Sequence, residues 1–253
     1  MFSHAFAAGA LLGTAISPLV CVSAAERSPV AAAEDVVARV TPSAKGAVLF
    51  HLNPDQGNKI TISGIAGGIR VEASDVRRLV AGYGWYLKNI AKVHFSWNGN
   101  RITLPSPLPV PASPVTVESP WNIVFAYNYC TLSYTAAFWD WNRWQREIDF
   151  LALNGFTHAL VTAGLEKTWE DFLTGLGYPR EKALRFIPNP AFAAWWNMGN
   201  LEGHGGTLSQ QQINKMAQMG RRIVSRMEQL GMTPVLQLSL IHISEPTRLL
   251  SIS

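Results

Sequence analysis

A proline-rich stretch near the middle of the chain is the strongest constraint on its fold. Residues 104–114 read LPSPLPVPASP, which places five prolines within eleven residues. Proline fixes φ and has no backbone N–H, so this density excludes a helix or a central strand and favours an extended connector. We therefore predict that residues 105–120 join a small α+β domain, residues 27–104, to a second domain over residues 121–237.

The segment before this connector carries the patterns of a small α+β domain. A short helix is predicted over residues 31–40, and Ser74 is a candidate N-cap for an amphipathic helix over residues 75–90. Asn98-Gly99 is the dipeptide typical of a tight β-hairpin. Strand-like runs, β-rich or alternating between polar and apolar residues, occupy residues 47–52, 59–64 and 69–73.

The segment after the connector alternates between strands and helices. Ser209 and Gln212 form a capping box for one of the helices. The order β-α-β-α-β with short turns predicts a parallel sheet, either a barrel or a doubly wound fold. No dinucleotide-binding glycine fingerprint follows the first strand, which favours the barrel. The predicted strands are residues 123–129, 156–163 and 233–237, and the predicted helices include residues 138–153 and 167–176.

The helix over residues 138–153 has two distinct faces. An apolar face is predicted to pack in the core, and Arg143 and Glu147 are expected to pair on the opposite face at i,i+4 spacing. The tryptophans of this helix region are therefore interpreted as core packing before sugar contact. The apolar face consists of Trp141, Trp144, Ile148 and Leu151. The predicted fold class is thus α/β, a small N-terminal α+β domain followed by a truncated TIM-like (β/α)8 barrel.

Composition excludes several classes of protein. With 48% hydrophobic and 15% charged residues, the chain is not a disordered protein, and 2 cysteines do not make a disulfide scaffold. The 21 Lys and Arg exceed the 17 Asp and Glu only mildly. Because this excess is spread along the chain, no nucleic-acid partner is expected.

The first 25 residues have the pattern of a signal peptide. An apolar run over residues 5–20 is too short to span a bilayer comfortably, and the small residues Val22-Ser23-Ala24-Ala25 follow it as a cleavage site. The alternative is a buried N-terminal helix. The leader predicts an exported protein, periplasmic or secreted, that is not held in a membrane once the leader is cleaved.

The C-terminal end of the chain has an unusual sequence. Residues 238–248 read LSLIHISEPTR, which resembles the in-frame translation of a transposase-type sequencing adapter. We expect residues 238–253 to be non-native and the native sequence to stop at Gln237 as the first part of a longer protein. The alternative is a native strand and turn.

Polar residues follow the predicted barrel strands. Chemistry in a barrel collects at the C-terminal ends of its strands. Asn128 and Cys130 follow the first strand, Gly164 and Glu166 follow the second, and residues 191–201 can return over the same rim.

Several motifs occur in a fixed order along the second domain. They are YNYCTLSY at 127–134, WDWNRWQREID at 139–149, LALNG at 151–155, AFAAW at 191–195, MGNL at 198–201 and GMTPVL at 231–236. In this combination the chain resembles glycoside hydrolase family 89, the alpha-N-acetylglucosaminidases, over roughly residues 30–237.

The resemblance implies an exo-glycosidase that removes terminal α-linked N-acetylglucosamine with retention. Its partner is then a glycan with a terminal α-N-acetylglucosamine, and no metal or organic cofactor is implied. Retention needs two carboxyl groups about 5 to 5.5 Å apart. In the family both are glutamates on later barrel strands, beyond Gln237, so this chain is expected to hold no catalytic residue and to be inactive alone. The alternative is a non-catalytic carbohydrate-binding or scaffold protein.

Four residues match family positions that line the sugar pocket: Asn128, Cys130, Trp195 and Met198. An amide can bond sugar hydroxyls, an indole can stack on a sugar face, and sulfur-containing side chains form adaptable walls. The residues alone leave other roles open, a turn cap for Asn128 and core packing for the other three.

Three further titratable residues receive structural roles from the sequence. Glu166 is interpreted as structural, since the family acids lie elsewhere. His158 lies within an apolar strand and is expected to be a core histidine. His204 is a lone loop histidine without neighbours suited to a metal.

Overall fold

The computed structural model describes residues 28–201, 204 and 206–236. All of these lie in one compact unit, Arg27–His242. The predicted signal peptide, residues 1–25, and the predicted adapter-derived tail, residues 238–253, lie outside the described residues.

The N-terminal part of the chain forms a mixed four-stranded sheet with two helices. Its strands run in the order β1-β3-β2-β6, with β1 and β3 parallel and the other neighbours antiparallel. The elements are α1 Pro29–Val40, β1 Val48–Leu52, β2 Lys59–Ile65, β3 Gly68–Ala73, α2 Val76–Asn89 and β6 Val115–Glu118. The alternation read from the sequence is confirmed, because Ile60, Ile62, Ile69 and Val71 are all buried.

The start of α2 differs from the prediction. Asp75, not Ser74, is the N-cap, and its side chain accepts from the backbone N–H of Arg78 at 2.8 Å. Ser74 instead donates to the carbonyl of Gly57 at 2.6 Å. Asp75 has the extended backbone of a cap residue, so its carboxylate reaches the first turn.

The hairpin predicted around Asn98-Gly99 is confirmed in a short form. Its strands are β4 His94–Phe95 and β5 Asn100–Arg101, which pair antiparallel. Residues 105–114 form neither helix nor strand, and β6 then joins the N-terminal sheet against β2.

The C-terminal part of the chain forms a parallel sheet of three short strands in the order β7-β8-β9. The strands are β7 Phe125–Ala126, β8 His158–Leu160 and β9 Thr233–Val235. A π-helical turn, Leu132–Ala136, directly follows the short helix Tyr129–Thr131. The helices are α3 Tyr129–Thr131, α4 Trp141–Leu153, α5 Leu165–Gly175, α6 Arg180–Phe186, α7 Ala193–Asn197 and α8 Gln210–Gln229. The predicted parallel α/β order is confirmed, and so is the capping box of Ser209 and Gln212.

The first predicted strand of this sheet was too long. The observed strand β7 covers only Phe125–Ala126, whereas the apolar run predicted a strand over residues 123–129. The chain leaves the strand at Tyr127, whose φ is 75°. Asn128 then caps α3. Apolar character continued past the point where the backbone turned, so the sequence did not reveal the end of the strand.

Helix α4 packs its predicted apolar face into the core. Trp144, Ile148 and Leu151 are buried there. The predicted Arg143–Glu147 pair is confirmed at 2.8 Å, and the Glu147 side chain is 0% exposed, so this face of α4 is also covered at Glu147. One hydrophobic core continues from the N-terminal sheet through α4 into the parallel sheet.

Two glycines allow helices to approach their neighbours closely. A Cβ on Gly84 of α2 would stand 1.8 Å from the carbonyl oxygen of Leu153, and a Cβ on Gly220 of α8 would stand 2.3 Å from that of Ala163. Real Cβ atoms do not tolerate such distances, so these glycines fix how α2 and α8 lie against the parallel-sheet region.

Candidate functional site

The candidate site begins where β7 ends, at the carboxyl edge of the parallel sheet. Tyr127 has a left-handed backbone, which is costly for a residue other than glycine. It directs the chain into a capping box at Asn128. There Thr131 N–H donates to Asn128 Oδ1 at 3.1 Å, and Asn128 N–H donates to Thr131 Oγ1 at 3.4 Å. The cap role that the sequence left open for Asn128 is therefore present.

A buried carboxylate holds Tyr127 in this conformation. The Tyr127 hydroxyl donates to Glu147 Oε1 at 2.5 Å, and the Trp97 indole donates to the same oxygen at 2.9 Å. Arg143 pairs with the other oxygen at 2.8 Å. Burial, together with the nearby negative charge of Glu147, raises the pKa of Tyr127 far above its ordinary value. Tyr127 is therefore a neutral hydrogen-bond donor.

The π-helical turn after α3 contacts the segment that contains α7. Ser133 Oγ donates to the carbonyl of Pro190 at 3.0 Å and accepts from Ala194 N–H at 3.0 Å. The Tyr134 and Trp195 rings meet edge to face, with centroids 4.9 Å apart. These contacts bring residues 128–136 beside residues 190–198, which lie far away in sequence.

The two adjacent tryptophans of α7 have different surroundings. Trp196 is only 9% exposed and packs edge to face against Trp169 and Phe186, at centroid distances of 4.7 Å and 5.4 Å. Trp195 is half-buried and contacts the largely exposed Tyr134. Trp196 is therefore the core residue, and Trp195 is available at the surface.

The four predicted pocket residues lie on these two neighbouring segments. Asn128 is exposed and Cys130 is half-buried in α3, while Trp195 lies in α7 and the exposed Met198 follows it directly. Their sugar-binding roles stay predictions. Ser133 and Glu147 organise this surface, a role that sequence reasoning missed. A serine in a helix-like run and a helix i,i+4 pair are both common on exposed faces, so neither signals such a role.

Glu166 is a buried carboxyl near the carboxyl end of β8. It lies in the first turn of α5, is 4% exposed and accepts from Gly164 N–H at 3.1 Å. It borders a cavity of about 170 Å³ together with Trp139, Trp144 and Met216. Burial raises the pKa of Glu166 to about 7, so near neutral pH a large fraction of the molecules carry it protonated.

The two histidines named from the sequence lie apart. His158 is half-buried in β8, with Nδ1 2.7 Å from Thr157 Oγ1. His204 is exposed, and its ring centroid lies 5.8 Å from that of Phe192. Among the described residues, no group of three or more His, Cys, Asp or Glu is arranged to hold a metal ion. Nor do these residues include a helix long and apolar enough to cross a bilayer.

Parallel strands linked by helices, with polar residues at their carboxyl ends, define an α/β protein of the TIM-barrel type. Two family descriptions match the chain: "Alpha-N-acetylglucosaminidase (NAGLU) tim-barrel domain" over residues 124–240, and "Alpha-N-acetylglucosaminidase (NAGLU) N-terminal domain" over residues 31–110. Together they cover well over half of the chain. The chain belongs to the alpha-N-acetylglucosaminidase family, glycoside hydrolase family 89.

Individual relatives agree with this assignment. Alpha-N-acetylglucosaminidase of Homo sapiens is 37% identical over 182 residues, which is 72% of this chain and 24% of the human protein. A family 89 glycoside hydrolase from Clostridium perfringens, in complex with 2-acetamido-1,2-dideoxynojirmycin, superposes with a TM-score of 0.79 at 30% identity. That match covers 83% of this chain and 24% of the bacterial one.

A second Clostridium perfringens structure holds the substrate GlcNAc-alpha-1,4-galactose, in a variant with two glutamates changed to glutamine. It matches with a TM-score of 0.79 at 29% identity, again over 83% of this chain and 24% of the other. This chain therefore spans about a quarter of the length of these relatives. The predicted α/β class with part of a TIM barrel is confirmed.

Proposed function

We propose that this chain supplies part of the sugar pocket of a retaining exo-glycosidase that hydrolyses terminal α-linked N-acetylglucosamine. The observation that carries the proposal is the contact between the π-helical turn and α7, made by Ser133 with Ala194 and by Tyr134 with Trp195. This contact gathers the residues that match the family's pocket on one edge of the parallel sheet. Membership of family 89 supports the reaction.

Each pocket residue has a chemical role suited to an acetamido sugar. Trp195 offers an indole face to the apolar side of the ring or to the acetamido methyl. Asn128 bonds a hydroxyl through the part of its amide that the cap does not use. Cys130 and Met198 form polarisable walls that adapt to the shape of the sugar.

The catalytic carboxylates belong, in this proposal, to later strands of the barrel. Retaining hydrolysis uses one carboxylate as nucleophile and a second carboxyl as acid and base. The short span of this chain relative to its relatives, 24% of their length, supports a location beyond Gln237. Glu166 is buried beneath the π-helical turn in an apolar cavity, which suits a structural role. The 253-residue chain alone is then inactive.

In this proposal, the protein acts outside the cytoplasm. The apolar run over residues 5–20 and the small residues after it support export to the periplasm or the medium. A terminal α-N-acetylglucosamine on a polymeric glycan is a substrate that an exported hydrolase can meet.

Two assays of the 253-residue chain test the proposal. Saturation-transfer NMR with N-acetylglucosamine is expected to show weak contact that Trp195→Ala abolishes. The matched control Trp121→Ala removes an indole that is 70% exposed elsewhere and is expected to leave the contact unchanged. Glucose, which lacks the acetamido group, is expected to give a smaller transfer signal.

The second assay measures turnover of a chromogenic α-N-acetylglucosaminide. No release of the chromophore is expected from the isolated chain. Measurable turnover would show that the catalytic carboxyls lie within these residues. Equal saturation-transfer signals from N-acetylglucosamine with the wild type and with Trp195→Ala would contradict the assignment of Trp195 to the sugar pocket.

A further inference from the structure

A polar stripe runs along one face of α8. Its residues recur at intervals of three and four, which places them above one another on a helix. They are Gln218, Arg221, Arg222, Ser225, Arg226 and Gln229. Three of these six side chains are arginines, and none is acidic.

This stripe does not simply face solvent. It forms one wall of a cavity of about 420 Å³, and the opposite walls come from α1, through Asp35 and Arg39, and from α4, through Trp141 and Gln145. We call this cavity the arginine pocket. All of its lining residues belong to these three helices, and none of them is one of the four predicted sugar-pocket residues.

Four arginines line the pocket, Arg39 from α1 and three from α8. Two of them, Arg39 and Arg226, form salt bridges with the same carboxylate. Asp149 is 2% exposed and receives Arg39 Nε at 2.7 Å and Nη2 at 2.8 Å, and Arg226 Nη2 at 3.2 Å. Burial raises the pKa of Asp149 to about 6 although Arg39 opposes the shift, so the carboxylate is ionised at neutral pH. Asp149 thereby holds two of the lining arginines, Arg39 and Arg226, in place.

The other two arginines, Arg221 and Arg222, are both exposed. The Arg222 guanidinium lies 4.1 Å from the ring centroid of Trp141, which orients it by a cation–π contact without cancelling its charge. Arg221 is exposed beside it. Among the described residues, neither makes a salt bridge with a carboxylate.

The charge and hydrogen-bond balance of the pocket is therefore incomplete. Within the part of the chain that the structure describes, four guanidinium groups line the pocket, and two carboxylates, Asp35 in its wall and Asp149 beside it, carry the negative charge, so two positive charges are in excess. Arg226 is 5% exposed, yet its buried Nε finds no acceptor among the residues that the structure describes. Guanidinium groups bind tetrahedral oxyanions through paired N–H donors, and a doubly charged ion matches the excess.

We propose that the arginine pocket binds a tetrahedral oxyanion, sulfate or phosphate, through Arg221 and Arg222. Its volume exceeds that of the free ion, and Ser225 and Gln145 offer hydrogen bonds to a polar carrier such as a sugar ester. This binding does not depend on the glycosidase proposal. It would stand even if the chain bound no N-acetylglucosamine.

Thermal unfolding of the 253-residue chain in inorganic sulfate tests the proposal, with ionic strength held constant by sodium chloride. The midpoint is expected to rise saturably, as ligand linkage requires, and acetate is expected to act more weakly. Arg221→Gln combined with Arg222→Gln is expected to weaken the apparent affinity roughly tenfold or more. Arg70→Gln, which removes an exposed arginine on β3, is expected to match the wild type.

Sulfate also stabilises proteins generally by exclusion from their surfaces. The same unsaturated rise in the wild type, the double variant and Arg70→Gln would therefore overturn the proposal. Glucose 6-phosphate and inorganic phosphate distinguish the source of the anion. Tighter binding of the ester identifies an ester-bound group, and equal binding identifies the free ion.

Chemical labelling gives a second measurement that needs no variant. Phenylglyoxal modifies accessible guanidinium groups, and peptide mass spectrometry reports each site. Sulfate is expected to slow modification of Arg221 and Arg222 several-fold while leaving Arg70 unaffected. Equal rates with and without sulfate at all three arginines would also overturn the proposal.

Discussion

The hydroxyl of Tyr127 donates to the carboxylate of Glu147 at 2.5 Å, and this bond ties the left-handed residue at the end of β7 to the buried face of α4. A strained backbone persists only where its surroundings stabilise it. Glu147 therefore acts on the candidate pocket indirectly, by fixing the residue that precedes Asn128.

Replacing Glu147 by alanine is expected to destabilise the fold by about 2–4 kcal/mol, because it leaves Tyr127, Trp97 and Arg143 without their shared acceptor. Urea unfolding monitored by circular dichroism measures the change. The control is Glu181→Ala, since Glu181 also pairs with an arginine four residues away in its helix but is 75% exposed. The control is expected to change stability little. Equal losses in the two variants would contradict a special role for the buried pair.

Glu166 is expected to make stability depend on pH. Its pKa is about 7 in the folded chain against 4.5 ordinarily, so the folded state binds its proton more tightly. Its contribution to stability then decreases as pH rises from 4.5 to 7, by about 3 kcal/mol in total. Glu166→Gln is neutral at every pH and should be more stable than the wild type at pH 8 but not at pH 4.5.

Urea unfolding at intervals between pH 4.5 and pH 8 measures this difference. Asp149 adds a dependence of the same sign, since its pKa is also raised, but it is common to both proteins and cancels in the comparison. Glu228→Gln, at an exposed position on α8, is the control and should follow the wild type. Parallel stability curves for the wild type and Glu166→Gln would refute the prediction.

Gly84→Ala is expected to destabilise the chain by at least about 2 kcal/mol. The new methyl group would stand 1.8 Å from the Leu153 carbonyl oxygen, so α2 and α4 must separate. Gly175→Ala is the matched control in a helix, because its Cβ meets nothing within 4 Å. It should be neutral or stabilise by less than about 1 kcal/mol. Thermal denaturation of both variants decides the matter, and similar midpoints would argue against a close helix contact.

Ser133→Ala is expected to loosen α7 from the π-helical turn. The variant loses both hydrogen bonds of the serine hydroxyl, at a cost of about 1 kcal/mol. The local effect is sharper, because the Ala194 amide donates to Ser133 Oγ and should exchange faster with solvent. Hydrogen exchange resolved at that amide is the measurement. Ser119→Ala, at an exposed serine bonded to Trp121, should leave the Ala194 rate unchanged.

The strand–helix order could be predicted from the sequence because it depends on local periodicity. The capping box at Ser209 and the hairpin at Asn98-Gly99 formed for the same reason, since each lies within a few residues of chain. The end of β7 was not predictable in this way. Tyr127 turns there because of Glu147 and Trp97, which lie 20 and 30 residues away.

The candidate pocket likewise combines features that the local sequence predicts with a contact between distant segments that it does not predict. The motif around Asn128 and the motif around Trp195 could be recognised separately. Their contact depends on Ser133, whose two partners are backbone groups 57 and 61 residues away. Backbone partners leave no trace in side-chain pattern, and the choice between Trp195 and Trp196 as the core residue depends on the direction of a five-residue helix.

The bond from Trp97 to Glu147 limits how freely parts of this chain can be exchanged with those of a relative. Trp97 lies in the β4–β5 hairpin, and Arg146 of α4 bonds the same hairpin through Asn100 at 2.8 Å. The hairpin and the end of β7 thus share one carboxylate oxygen. Consider a chimera that takes residues 28–104 from a relative with a different hairpin. It would change the geometry at the end of β7, although β7 lies outside the exchanged segment. The hairpin and α4 have to be transplanted together.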